Sequence, residues 1–297
     1  MVLLPVGLSI LILVNLPTRL SSQVYQRFFL GHRQVQDIDV VLSYYRENVT
    51  TVAQGIQALR EQLGSRGFSS KIIVYSKDES LPVNNSLQTL LGADSIIRLS
   101  NRGREGGSFL THILSQYDRA QRYPHEFSSH ILFGQAILDV QDIVNSRISV
   151  LRKETSFLSL GRYAECDCGR DAHGLKKYFP RMREICAMFT GRLCPSGGQL
   201  CTYKGQFIVS SKSILRNPKR LYQDLFDVLT APEGHWIYDD AGDKEWEWSG
   251  SKSSPSSPFF GHALERSWPT IFGCVDVLVS RRCSLSSPES CQCTHDF

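Results

Sequence analysis

The chain has 297 residues, 41% of them hydrophobic, enough to bury the core of one large domain or two small ones. Charged residues make up 21% and the net charge is +4, without the concentrated basic face that meets a phosphate backbone, so no nucleic-acid partner is expected. The one basic stretch with aromatics, Lys176, Lys177, Tyr178, Phe179, Arg181 and Arg183, reads as a solvated face.

Residues 2–14 are almost wholly apolar and stop at Asn15, Pro17 and Arg19, the pattern of a membrane-targeting segment. As a helix they would rise ~20–24 Å against a hydrocarbon core of ~30 Å. Residues 1–22 are therefore expected to be a signal peptide or a short type II, single-pass anchor; Leu20 before Ser21 and Ser22 is bulky for a peptidase site, which keeps anchorage open. Membrane contact is expected through this segment alone, with the rest of the chain in the lumen of the ER or Golgi or outside the cell. Two acceptor sequons, Asn48-Val49-Thr50 and Asn84-Asn85-Ser86, agree with that placement.

Ile38 opens a short buried strand over 39–43, and 50–63 carries Val52, Ile56, Leu59 and Leu63 at helical spacing before Gly64 and Gly67 end it. A strand over 71–75 completes one strand-helix-strand unit. A third strand, 96–99, runs into the turn 101–107, and Leu110, Ile113, Leu114 and Tyr117 then stripe a helix. A fourth strand, 130–133, turns at Gly134-Gln135-Ala136 into a helix bearing Ile137, Val140, Val144, Ile148 and Leu151. This alternation predicts an α/β fold with a mostly parallel sheet, whose ligands bind at the carboxyl ends of the strands.

After Ser159 the periodicity breaks into a Cys-rich insertion, 161–204, followed by a strand at 206–210. Pro218 opens a helix with Leu221, Tyr222, Leu225, Phe226 and Leu229 inward, 233–258 reads as a solvent loop, and a helix from His262 is expected to end near Pro269 and Gly273. A Cys-rich tail, 274–297, closes the chain. All nine cysteines lie at or after Cys166. The Cys-x-Cys pairs Cys166/Cys168 and Cys291/Cys293 lack the paired Cys-x-x-Cys hooks of a zinc module, so disulfides are expected, with one thiol left over by parity and the pairing open.

The turn 101–107, Asn-Arg-Gly-Arg-Glu-Gly-Gly, carries the most chemistry. Its glycines let backbone approach a ligand, and Arg102 and Arg104 offer forked donors for phosphate oxygens at a helix N-terminus. The plainer reading is a glycine turn with a capping Glu105 and solvated arginines. No Walker ending, no Gly-x-Ser-x-Gly elbow and no His-Glu-x-x-His is present. Trp236, Trp246, Trp248 and Trp268 are candidates for stacking on sugar rings, against the commoner role of aromatic side chains as core.

The succession of residues 40–48 (Val-Val-Leu-Ser-Tyr-Tyr-Arg-Glu-Asn), Ile73-Val74-Tyr75, Asn101-Arg102-Gly103-Arg104-Glu105, residues 205–210 (Gly-Gln-Phe-Ile-Val-Ser) and Leu264-Glu265-Arg266-Ser267-Trp268-Pro269 resembles the uncharacterised family catalogued as domain of unknown function 3431. The resemblance spans about residues 38–273. That family is itself similar to the GT-A glycosyltransferases, and the Asn-x-Gly-Arg-acid turn is similar to one in polysaccharide-synthesis transferases. Two places depart: Thr51, Val52 and Ala53 stand where the family carries a Trp, and Gly134-Gln135-Ala136 where it carries a Gln-Gly turn.

The resemblance implies a three-layer, open, mostly parallel α/β sheet of GT-A type over 23–273, with a disulfide-rich C-terminal elaboration. It implies a secretory-pathway enzyme moving a sugar from a nucleotide-diphosphate donor to a glycan or protein acceptor, with a divalent cation, Mn2+ or Mg2+, as its candidate cofactor. Asn101, Gly103, Arg104 and Glu105, with Tyr45 and Arg46, are then the expected nucleotide-binding residues. Glu265 is the expected base for the acceptor hydroxyl, with His262 three residues earlier on the same helix face; a surface ion pair with Arg266 is the alternative for that carboxylate. The metal ligands are left unknown: no Asp-x-Asp stands where metal-dependent transferases of this fold put theirs, and Asp37-Ile38-Asp39 precedes the first strand. The rival function is a non-catalytic lumenal or secreted interaction protein that keeps the fold.

Overall fold

The computed structural model describes residues 37–167, 169, 181–196, 198–239 and 252–295. The chain divides into Met1–Val35 and Gln36–Phe297, and every described residue lies in the second unit. The expected leader, the basic stretch at Lys176 to Phe179, and Trp246 and Trp248 fall outside the described residues.

The elements in chain order are β1 (Ile38–Tyr44), α1 (Val49–Ser65), β2 (Ser70–Ser76), α2 (Asn85–Leu91), β3 (Ser95–Arg98), α3 (Arg104–Arg122), β4 (His130–Gln135), α4 (Gln141–Ile148), β5 (Thr155–Ser159), β6 (Tyr163–Cys166), α5 (Arg181–Thr190), β7 (Gln199–Thr202), β8 (Phe207–Ser210), α6 (Ser211–Leu215), α7 (Lys219–Leu229), α8 (Phe260–Ile271), α9 (Val279–Arg282) and β9 (Gln292–Thr294). Seven strands form one sheet in the order β3-β2-β1-β4-β8-β5-β9, and β6 pairs with β7 apart from it. β1 to β4 are mutually parallel where they pair, β8 runs antiparallel between β4 and β5, and β9 runs antiparallel to β5. The strands β1 to β5 therefore share one direction, and their carboxyl ends lie on one edge.

Strand residues alternate between faces, and both faces are covered, which is why the central strands read as unbroken apolar runs. Val41, Ile73, Phe133, Phe157 and Phe207 form one core with α3, α7 and α8. Val40, Leu42, Ile72, Leu132 and Ile208 form the other with α1, α2 and α4. The fold class read from the sequence, an open three-layer sheet with most strands in one direction and a disulfide-rich C-terminal elaboration, is the one observed.

Four details differ from expectation. The helix after β4 starts at Gln141, not near Ile137, because Val140 holds a left-handed φ of 56° and the Gln206 side chain takes both the N–H and the C=O of Asp139. Helix α8 begins at Phe260, ahead of the expected His262, and ends at Ile271, between Pro269 and Gly273 as expected. The Cys-rich insertion contains the β6/β7 pair and α5, and the tail adds the edge strand β9. Trp268 is 1% exposed and packs on Phe207 and Phe109, so it is core.

Cys166–Cys201, Cys274–Cys293 and Cys283–Cys291 are disulfides with Cα–Cα separations of 6.0, 5.7 and 4.5 Å. Cys194 is also bonded, and Cys186 is a buried free thiol. This bonding belongs to an oxidising compartment, as in the secretory pathway or outside the cell. No helix among the described residues is long and apolar enough to cross a membrane.

Candidate functional site

Four chain segments meet at the carboxyl edge of the parallel strands: the loop after β1, the residues after β2, the turn between β3 and α3, and the start of α8 with the Lys204-Gly205 turn before β8. The turn is the most constrained of them. Gly103 and Arg104 both take left-handed φ values, 69° and 48°, and for a residue with a Cβ this costs about 1 kcal/mol. Lys77, the residue after β2, holds that conformation from beneath. Its buried ammonium donates to the carbonyl oxygen of Arg102 at 2.5 Å and to that of Arg104.

The glycines of the turn serve the protein interior. A Cβ on Gly107 would stand 2.7 Å from the Arg102 carbonyl oxygen and 3.2 Å from Lys77 Nζ, so the lysine could not sit there beside a larger residue. Gly106 similarly admits Leu229 of α7 and Leu264 of α8. Ser108 on the next turn bonds Ser43 of β1 at 2.9 Å, which pins α3 to the central strand. No side chain caps the N-terminus of α3.

The two arginines diverge. Arg102 turns inward and donates to the carbonyls of Thr230 and Ala231 at 3.5 and 3.3 Å. Arg104 keeps 31% of its side chain exposed and reaches His262 Nε2 at 3.0 Å. A guanidinium only donates, so His262 Nε2 accepts and the ring proton sits on Nδ1, which faces Glu265 Oε2 at 3.5 Å. Glu265 also accepts from the Lys204 N–H at 2.6 Å and lies 3.5 Å from Arg266. Burial pushes the Glu265 carboxyl up, but His262, Arg266 and the Lys204 N–H outweigh it and hold the group below the ordinary glutamate range.

Arg104, His262 and Glu265 are thus joined in one polar seam, with Glu105 3.6 Å from Arg104 and packed under Gly205. Asn101 and Gly103 lie in the same turn, where the Gly103 N–H donates to Pro255. Tyr45 and Arg46 stand at the end of β1, both exposed, with the guanidinium 5.0 Å over the ring and 3.9 Å from Asp78. Lys77 links the two groups, since its N–H donates to the Tyr44 carbonyl while its ammonium holds the turn. Asp37 and Asp39 lie at the other end of β1, bonded to Ser69 and Ser128.

Lys77, Lys204 and Thr202 were not singled out by the sequence reading. A Lys-Asp pair directly after an apolar parallel strand was a usable signal for Lys77, because such sheets place their ligands at strand ends. Lys204 and Thr202 carried no local signal, since their role depends on where α8 docks.

No family model matches the chain, and no curated protein does. Among solved structures, the mannosyltransferase PcManGT from Pyrobaculum calidifontis, in complex with GDP-Man and Mn2+, is similar at 10% sequence identity with a TM-score of 0.34, over 78% of this chain and 70% of that one.

Proposed function

We propose that the chain is a glycosyltransferase of the secretory pathway, moving a sugar from a nucleotide-diphosphate donor to a hydroxyl of a glycan or protein. The observation that carries this reading is the Arg104–His262–Glu265 seam at the carboxyl edge of the strands. In the proposed reaction the diphosphate takes the Arg104 guanidinium, which frees His262 Nε2. The acceptor oxygen attacks the anomeric carbon, the bond from that carbon to the diphosphate oxygen breaks, and the acceptor proton passes to His262 Nε2. Glu265, ionised and held by three partners, keeps the ring proton on Nδ1 and balances the imidazolium; it orients rather than abstracts. Exposed Tyr45 and Arg46 supply a stacking surface for the base.

A divalent cation belongs to the expectation, but the described residues do not form a site for it. Asp78 is bonded by Ser80, Asp139 by Lys204, and no three His, Cys, Asp or Glu side chains converge among the described residues. No step of the proposed transfer runs through a metal.

The interaction-protein reading draws on a different observation: Arg102 and Lys77 are spent on internal carbonyls. Thermal unfolding with uridine and guanosine diphosphates separates the two. A ligand at a hundredfold excess over its Kd adds about 2.7 kcal/mol to the folded state, and Arg104→Ala is expected to abolish the shift. If neither diphosphate moves the Tm, or the variant keeps the shift, the transferase proposal falls. A nucleotide-sugar hydrolysis screen then identifies the donor.

A further inference from the structure

The opposite edge of the sheet, where β4 begins and β8 ends, holds a cavity of about 720 Å3. Its rim is basic: Lys153, Lys212, Arg216, His130 and His295 all line it, and no carboxylate does among the described residues. Its floor is apolar, formed by Ala120, Phe127 and Leu215. Lys153, Lys212 and Arg216 are exposed and form no ion pair with any described residue. Three cations on a concave apolar wall with no carboxylate among the described residues of its lining repel one another, and an anion relieves them.

Two histidines of the lining differ in what acts on them. His295 bonds Ser210 through Nε2 at 2.8 Å, and its pKa is pushed down by burial first and by Lys212 and Arg216 after it. His130 spends both ring nitrogens inside the fold, on Ser129 and on the Thr155 carbonyl; Asp37 and Glu154 act on it from nearby, but neither lines the cavity. Behind the floor lies a void of about 20 Å3 that shares Ala120, Phe127, Ser128, Ser211 and Leu215 with the larger cavity. His112, 1% exposed, lines that void and its Nε2 has no hydrogen-bond partner. A space of this size admits one oxygen atom or one water. The void behind the floor, not the cavity itself, therefore holds a buried ring nitrogen one hydrogen bond short.

We propose that this cavity binds an organic anion, a phosphate or sulfate ester borne on a ring, with the ring against Phe127 and Leu215 and the oxyanion among Lys153, Lys212 and Arg216. A volume of this order takes a ring and its ester, and a few polar groups on an apolar wall set the orientation. The site is separate from the Arg104 seam, which lies at the other end of the strands.

Calorimetric titration of the purified full chain with phenyl phosphate, phenyl sulfate, phenol and inorganic phosphate tests it. Either ester is expected to bind more tightly than phenol or inorganic phosphate, and the tighter ester names the oxyanion. In Lys153→Gln/Lys212→Gln the affinity for that ester should fall about tenfold or more, the scale of a lost charge-assisted hydrogen bond, while Arg104→Ala leaves it unchanged. Both lysines are exposed, so an unaltered Tm confirms that the double variant is folded. The proposal is overturned by silence from both esters, by equal affinity for inorganic phosphate, or by undiminished binding to the double variant.

Discussion

An ammonium beneath a helix N-terminus is electrostatically awkward, because the first turn of a helix already carries the positive end of its dipole. Lys77 occupies that place under α3, and the carbonyl oxygens of Arg102 and Arg104 make it tolerable by accepting its hydrogen bonds. Burial pushes its pKa from 10.5 to about 8, with Glu105 opposing. For a base with a folded pKa below its unfolded one, the unfolded chain binds more protons between those values, so stability rises as pH increases from about 8 to 10.5. Native protein and Lys77→Met should therefore diverge across that interval, the gap widening by up to about 3 kcal/mol in urea denaturation. A gap that stays constant over the interval would show that the ammonium is not desolvated. Arg104 and Glu265 were named as candidates from pattern and resemblance, and the fold joins their side chains through His262. The direction in which each arginine turns was not legible, because it depends on the carbonyls of Thr230 and Ala231, more than a hundred residues away.

Helix α8 shows how one element is kept whole across a residue that should break it. Pro269 has no N–H, so the carbonyl four residues earlier, Glu265, loses its helical partner. Thr202 of β7 supplies the replacement, its hydroxyl donating to the Glu265 oxygen at 3.1 Å. This is why the proline lies inside the last turn of the helix, and why the register of the Glu265 side chain depends on a strand in the Cys-rich insertion. Thr202→Val should cost about 1–3 kcal/mol by leaving that carbonyl unpaired. Adding Pro269→Ala returns an N–H to the helix, so the threonine substitution should cost far less in the Pro269→Ala background, and chemical denaturation of the four-protein cycle measures the difference. Equal costs in both backgrounds would mean that the hydroxyl does not serve the carbonyl. Elements with their own periodicity, such as α1, α3 and α7, were readable from spacing; β5, β7 and β9 were not, being short segments without a clear period whose partners lie far along the chain.

At the scale of the whole molecule, the tail decides how firmly the site's far wall is fixed. Cys274 follows α8 closely and is bonded to Cys293 in β9, which pairs with β5 at the edge of the sheet. Helix α8 is thereby tied to the sheet twice, once by Trp268 and Phe272 against Phe207, and once covalently through the edge strand. The cysteine count foretold bonding and a spare thiol, but a list of nine cysteines could not say that one bond would add a strand. A bond across a separation of 19 residues restricts the unfolded chain by about 3 kcal/mol. Cys274→Ser/Cys293→Ser should lose about that much in equilibrium denaturation, and β9 should become open to limited proteolysis while the parallel strands stay protected. The Cys283–Cys291 bond, across a separation of 8, closes only the tail on itself and leaves β9 untethered to α8 in that variant. If the double variant keeps full stability and a protected tail, the strand pairing alone holds α8 in place, and the disulfide is incidental to the position of Glu265.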